Sequence, residues 1–146
     1  MARREGISLE QTHHVRDSCL CLHVQRAARI VARRFDDALR PLGLTNGQFS
    51  LLVSLNRPQP ASMGAVSSLL AVDRTTLTAN LKPLERRGLL KVSADKSDRR
   101  NRVIALTTKG RKLIKAAYPM WERTHAAQEE LLKVPDRLRA DLLALG

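Results

Sequence analysis

Between Asp73 and Leu106 the hydrophobic period of this chain changes from that of a helix to that of a strand. Few small folds accommodate that switch in so short a span. Leu77, Leu81 and Leu84 fall within about 60° of one another at 100° per residue, so they share one buried face of a helix. Asp73 is a helix N-cap residue type, and Gly88 stands where a left-handed C-cap is expected, which predicts a helix over 73–87. Beyond it Leu90 and Val92 alternate with polar residues, as do Val103 and Ala105, while Ile104 and Leu106 sit on the other phase. The charged run Asp95-Lys96-Ser97-Asp98-Arg99-Arg100 separates the two stretches, so 89–106 reads as a β-hairpin with a basic tip. Upstream, Ser62 caps a short helix through Leu70, with Val66, Leu69 and Leu70 apolar and Ala71-Val72 as a tight turn. Two short helices, a tight turn and then a hairpin make the layout of a winged helix-turn-helix.

The remaining segments frame this unit. Residues 1–14 are polar and aperiodic, so 1–16 reads as a flexible lead, either a mobile tail or a short lead-in helix. From Asp17 to about Arg40, Leu20, Val24, Ala27, Val31 and Phe35 recur at helical spacing, with Arg26, Arg29 and Arg33 on the opposite side. Pro41-Leu42-Gly43 ends that helix, giving a first dimerisation helix over 17–42. Thr45 or Asn46 caps the next helix, with Phe49, Leu52 and Leu55 inward and Asn56–Pro60 as a rigid loop. Thr107 or Thr108 caps a long helix to about Leu132, broken or bent near Pro119, and Pro135 opens a last helix with Leu138, Leu142 and Leu145 on one face. That last helix is too short to be stable alone. It therefore needs a surface that a second copy would supply. The expected fold is mainly α with a small β-hairpin wing: a winged helix-turn-helix over 45–106 between dimerisation helices at 17–42 and 107–146.

Charge indicates the partner. Against 14 Asp and Glu stand 26 Lys and Arg, a formal +12 on 146 residues. The densest excess is in 73–106, with nine basic and four acidic groups, which points to a polyanion. Aromatics are only 3%, too few for readers that stack unpaired bases, so double-stranded DNA fits better. On the 73–87 helix Thr75, Ala79, Lys82 and Arg86 lie opposite Leu77, with Thr78 on the shoulder and Arg74 near the N-terminus. Short hydroxyls, a methyl and long cations suit base edges and phosphates. A plain solvent-exposed polar face is the competing reading. It does not explain why carboxylates are missing there, with Asp73 at the cap and Glu85 placed nearer the core stripe. Pro83 removes the bond to the Ala79 carbonyl, which either kinks the helix for packing or turns Arg86 and Arg87 toward the DNA backbone. At the hairpin tip Lys96, Arg99, Arg100 and Arg102 stand against Asp95 and Asp98, a composition that can enter a narrow minor groove. Asp98 is placed to orient an arginine two or more residues on, or to form a turn.

Other classes find no support. No apolar run approaches the roughly 18 residues of a membrane span, and the N-terminal charges precede no apolar stretch of a secretory signal. A cytoplasmic protein is expected. Two cysteines, Cys19 and Cys21, make no disulfide framework, and neither CxxC nor HExxH occurs. Cys19 and His23 at i, i+4 offer two ligands where structural zinc takes four, so no metal or cofactor is expected. No carboxylate pair, Ser/His/Asp set or phosphate loop has supporting context, and Glu129-Glu130 reads as a solvated face, so an enzyme is not expected. A non-specific architectural DNA protein is the alternative of a different class.

The run Asp73-Arg-Thr-Thr-Leu-Thr-Ala-Asn-Leu-Lys-Pro-Leu-Glu-Arg-Arg-Gly-Leu-Leu90, the tip from Asp98 through Arg100 to Leu106-Thr-Thr-Lys-Gly110, and Leu44-Thr45 entering the second helix together resemble the MarR family of bacterial transcription regulators. The resemblance covers the chain from Cys19 to its C-terminus. It implies a homodimer whose first and last two helices interlock, with two winged modules gripping a pseudo-palindromic operator. The wing arginine of the family falls on Arg100, and the aspartate that braces the wing on Asp98. The resemblance also implies a repressor released by a small phenolic or lipophilic effector, or by oxidants acting on cysteine. Cys19 and Cys21, near the start of the first dimerisation helix beside Arg16, resemble in position the sensing cysteine of the hydroperoxide-responsive branch. The supporting tyrosines of that branch are missing, since Tyr118 is the sole Tyr. Taken as helical neighbours, the two thiols stand about 200° apart, with Cys21 toward the core and Cys19 on the flank, so they do not readily bridge within one subunit, and small half-buried apolar residues are the plainer reading of both.

Overall fold

The computed structural model describes residues 6–146. Helix α1, Leu9–Ser18, opens with a capping box in which the Ser8 hydroxyl accepts from Gln11 N and the Gln11 side chain returns to Ser8 N. The lead read as flexible over 1–16 thus contains a capped helix, while residues 1–5 of that reading lie outside the described residues. Helix α2, Leu20–Leu39, follows after a single non-helical residue, Cys19. A 3-10 turn over Arg40–Leu42 and Gly43, at φ 65°, end it. Helix α3, Asn46–Ser54, starts on a second capping box from Thr45 and Gln48. Asp36 of α2 strengthens that start, accepting from Asn46 N at 2.7 Å and Asn46 Nδ2 at 2.8 Å.

A two-residue strand β1, Ala61–Ser62, leads into α4, Met63–Leu70, which is capped by the Ser62 hydroxyl. Ala71, at φ 51°, then reverses the chain, with Val72 N bonded back to Ser67 O at 3.1 Å, the bond pattern of a left-handed helix stop. Helix α5, Arg74–Arg86, starts from Asp73 and runs on through Pro83. Strands β2, Leu90–Ala94, and β3, Arg102–Leu106, form the hairpin, and β1 adds to the far edge of β3, giving the order β1-β3-β2. Helix α6, Thr108–Glu129, is capped by the Thr107 hydroxyl and continues unbroken through Pro119. Of the break or bend expected there, the break does not occur. Helix α7, Pro135–Leu143, closes the chain.

Register settles which phase of the hairpin is the core face. Leu90 pairs with Leu106 and Val92 with Ile104, so these four share the side that faces α5. Lys91, Ser93, Val103 and Ala105 are on the other side. One core joins the winged unit to the long helices: Leu39 of α2, Leu52 and Leu55 around α3, Leu77 and Leu84 of α5, Leu89, Ile104 and Ala117 are all essentially inaccessible. Helices α1 and α7 bury none of their residues, yet carry Leu9, Val15, Leu138, Leu142 and Leu143 exposed.

Candidate nucleic-acid interface

Helix α5 is held by its leucines and presented by its cap. Leu77 and Leu84 are 0% exposed and Leu81 3%, whereas Arg74, Thr75, Thr78, Ala79, Lys82 and Arg86 are all exposed. The Asp73 carboxylate accepts from Thr76 N at 2.7 Å and from Thr76 Oγ1 at 2.8 Å. Those bonds to the charged form hold its pKa below the usual carboxylate value. Thr78 Oγ1 donates to Arg74 O at 2.9 Å, which commits the hydroxyl proton and leaves its lone pairs outward as acceptors.

The wing stands across a groove from this helix. A hollow of about 540 Å³ lies between them. Its floor is Met63, Leu81 and Val92; its walls carry Arg74 and Lys82 on one side and Arg100 and Arg102 on the other. Arg102 reaches the groove side because it pairs with Ala94, in phase with Val92 and Leu90. Glu85 also lines this hollow and is exposed. The expectation that the DNA-facing side lacks a carboxylate is therefore corrected: the shoulder assigned to the core stripe faces the wing. A second hollow of about 550 Å³ joins the starts of α4 and α5 to the tip end of β3, bringing Ser62 and Asn101 beside Arg74 and Arg102.

At the tip the two aspartates shape the backbone. Asp95 Oδ1 accepts from Ser97 N and Ser97 Oγ, each at 3.0 Å, and Asp98 Oδ1 accepts from Arg100 N at 3.1 Å. Asp98 also lies 3.5 Å from Arg100 Nε, while the Arg100 side chain remains 93% exposed. One aspartate therefore both forms the turn and points the arginine. Lys96 and Arg99 are exposed at the same tip.

Arg87 behaves differently from its neighbour. It is half-buried, with Nη1 donating to Gly43 O at 2.7 Å and Nη2 to Leu42 O at 3.4 Å. The reading that Pro83 turns both Arg86 and Arg87 outward is corrected: only Arg86 is free to face a ligand. The cysteine geometry is corrected as well. Cys19 is the extended N-cap residue of α2, its sulfur accepting from Leu22 N at 3.5 Å, and Cys21 is exposed rather than turned to the core. Among the described residues, no three His, Cys, Asp or Glu side chains gather as a metal site, and no helix is long and apolar enough to cross a membrane.

Known proteins share this arrangement. The family model described as MarR family matches residues 44–101. The HTH-type transcriptional regulator TtmR of Methylorubrum extorquens is 37% identical over 97 residues, 66% of this chain and 50% of that protein. The chain spans about half the length of this and another curated relative, the transcriptional activatory protein BadR of Rhodopseudomonas palustris. Among solved structures, the transcriptional regulator MosR of M. tuberculosis in complex with DNA superposes with a TM-score of 0.81 at 38% identity, covering 88% of this chain and 93% of that one. CouR of Rhodococcus jostii, solved with p-coumaroyl-CoA, gives 0.73 at 26% identity, over 88% of this chain and 90% of that one. With the family model on the helix-turn-helix and wing, and 93% of a DNA-bound regulator matched at 38% identity, this chain belongs to the MarR family.

Proposed function

We propose that the protein is a homodimeric, sequence-specific regulator of transcription that binds double-stranded DNA and works in the cytoplasm as a repressor, with no catalytic activity of its own. The observation that carries this reading is the groove between α5 and the wing, where cations from both walls, Arg74, Lys82, Arg100 and Arg102, converge. In it, α5 enters a major groove with Arg74, Thr75, Thr78, Ala79, Lys82 and Arg86. The tip, with Lys96, Arg99 and Arg100 braced by Asp98, reaches the neighbouring minor groove, and Arg102 meets the backbone between. The DNA-binding unit is 45–106, and the helices on either side of it pair two subunits. The exposed leucines of α7 support that pairing.

Release by a small ligand has a candidate place. A cavity of about 220 Å³ between α2, α3 and α6 is lined by Ala28, Ala32, Phe35, Phe49 and Trp121, with Asn46 and Ser50 as its polar groups. It suits one aromatic ring or a short acyl chain. A second reading, release by thiol oxidation, is favoured by the exposure of Cys21 and by the position of Cys19 at the break between α1 and α2. Titration of operator and random duplex against competitor DNA over a range of salt tests the main reading. The duplex comes from footprinting the DNA that flanks the gene. Equal affinity for both duplexes would leave only a non-specific architectural role. Repeating the footprint with phenolic acids, and with hydroperoxide on Cys19→Ser and Cys21→Ser, separates the two routes of release.

A further inference from the structure

Three successive residues at the end of α5 are each bonded to an element outside the helix-turn-helix. Arg87 holds the carbonyls of Leu42 and Gly43, in the turn that ends α2, through two guanidinium nitrogens. Its own carbonyl accepts from Lys109 Nζ at 2.7 Å, in the first turn of α6. Gly88 O accepts from Thr107 Oγ1 at 2.6 Å, and Leu89 O from Thr107 N at 3.1 Å. A helix C-terminus leaves its last carbonyls without partners inside the helix and attracts cations, so Lys109 meets an ordinary need. Arg87 does not. It reaches away from its own helix to two carbonyls some 45 residues earlier, and a planar guanidinium suits such a pair of acceptors better than an ammonium does. The guanidinium lies against the turn itself: Gly43 is left-handed at φ 65°, and a Cβ there would stand 3.4 Å from Arg87 Nη2, in ordinary contact.

A helix of 13 residues is a stiff rod. Fixing its C-terminal end against α2 and α6 fixes the direction in which its N-terminal half projects. We infer that Arg87 is a positioning residue: it sets the pitch of α5 relative to α2 and thereby the separation of the two reading helices in the dimer. The half-site spacing the protein accepts then depends on a side chain that never touches DNA. This rests on the reading above, since spacing has meaning only for a dimer on two half-sites. Adjacent arginines then have opposite roles, Arg86 as a contact and Arg87 as a clamp.

The test uses the full chain and an operator selected by the wild-type protein from a random duplex pool. Affinities are then measured for that operator and for versions with the half-sites one base pair closer or farther, across salt. Arg87→Ala is expected to bind the selected operator about tenfold more weakly. Its discrimination between spacings should shrink to less than half the wild-type ratio, with the slope of log K against log salt unchanged. Arg87→Lys keeps the charge but not the paired donors, and should lose spacing discrimination in the same way, which covers the case of an alanine variant that folds poorly. Arg86→Ala is the contrast: a slope shallower by about 0.9 per subunit, with spacing discrimination intact. If Arg87→Ala behaves like Arg86→Ala, or Arg87→Lys matches wild type on every spacing, Arg87 is a phosphate contact or a passive residue and the inference fails. A wild-type protein that selects no operator refutes the regulator reading itself and removes the spacing role with it.

Discussion

Gly110→Ala is the substitution for which the fold makes its sharpest stability prediction. Gly110 is the buried third residue of α6, its N–H bonded to Thr107 Oγ1 at 3.0 Å. A Cβ there would stand 2.0 Å from Leu89 O, 3.0 Å from Leu89 C and 3.1 Å from Leu106 Cδ2. Carbon and carbonyl oxygen approach to about 3.3 Å at closest in ordinary packing, so backbone must move by more than about 1 Å. The backbone in the way is poorly free to do so. Leu89 is 1% exposed, its carbonyl takes the Thr107 N–H, and the next residue opens the Leu90–Leu106 pairing. Overpacking of this kind costs about 1–3 kcal/mol and a weakened backbone hydrogen bond about 1 more, against a gain of about 1 from better helix propensity. The net is about 1–3 kcal/mol of destabilisation, a fall in Tm of about 3–10 °C for a domain of this size. Thermal unfolding followed by circular dichroism, at one protein concentration throughout, measures it. Gly47→Ala in the first turn of α3 is the control, because nothing lies within 4 Å of its Cβ, and it should be neutral or stabilising by up to about 1 kcal/mol. A Gly110→Ala protein that melts at or above wild type would refute the close packing of α6 on the end of α5.

Arg100→Ala should weaken operator binding by about tenfold or more while Lys82→Ala does so less, in a fluorescence-anisotropy titration; unchanged affinity for Arg100→Ala removes the wing from the mechanism. Asp36 and Asp73 both have pKa values lowered, the first by the backbone and side-chain N–H groups of Asn46, the second by Thr76. Their contribution to stability is therefore complete above the ordinary carboxylate value near 4 and is lost as pH falls through the lower folded value. Asp36→Asn should flatten the dependence of Tm on pH in that acid window, and an unaltered curve would show the Asp36–Asn46 bonds to be inconsequential. Leu142→Asp on α7 should shift the protein from dimer to monomer in sedimentation equilibrium, and a dimer of undiminished strength would remove α7 from the interface.

The helix starts were legible because each is marked by a local chemical device. Thr45, Ser62, Asp73 and Thr107 each accept a backbone N–H three residues on, and each precedes an apolar period. Helix α1 has such a mark too, Ser8 with Gln11. It lacks an apolar stripe to draw attention to it, since nothing on it is buried within one chain. What lay beyond reading depends on distant partners. Strand β1 is two residues long and exists because β3 offers an edge to Ala61 and Ser62. The phase of Ile104 and Leu106 was ambiguous until their pairing with Val92 and Leu90 was known. Glu85 sits about 80° from Leu77 on a helical wheel, a shoulder position whose surroundings are set by the wing and not by the helix. Arg87 resembles Arg86 in every local respect, and its acceptors are 44 and 45 residues away. The candidate interface was thus readable where a face of one helix defines it and unreadable where two elements meet.

That distinction changes how the charge should be counted. Nine cations lie between residues 73 and 106. Arg87 is bonded to carbonyls, and Lys91 projects from the sheet face opposite the groove. Seven remain to meet DNA: Arg74, Lys82, Arg86, Lys96, Arg99, Arg100 and Arg102. Each phosphate neutralised contributes about 0.9 to the slope of log K against log salt, so two subunits can give a slope no steeper than about −13. The measured value should be shallower, because Glu85 lines the same groove and Asp98 stays beside Arg100. Substituting Glu85→Gln should raise affinity for every duplex alike, since it removes a like charge from the path of the backbone without adding a base contact. If instead it alters preference at one position of the operator, Glu85 reads a base, with its carboxylate accepting from a cytosine amino group. A slope steeper than the limit would mean that cations outside residues 73–106 also meet the DNA, and the exposed Arg57 and the exposed Arg26, Arg29 and Arg33 of α2 would be the first to substitute.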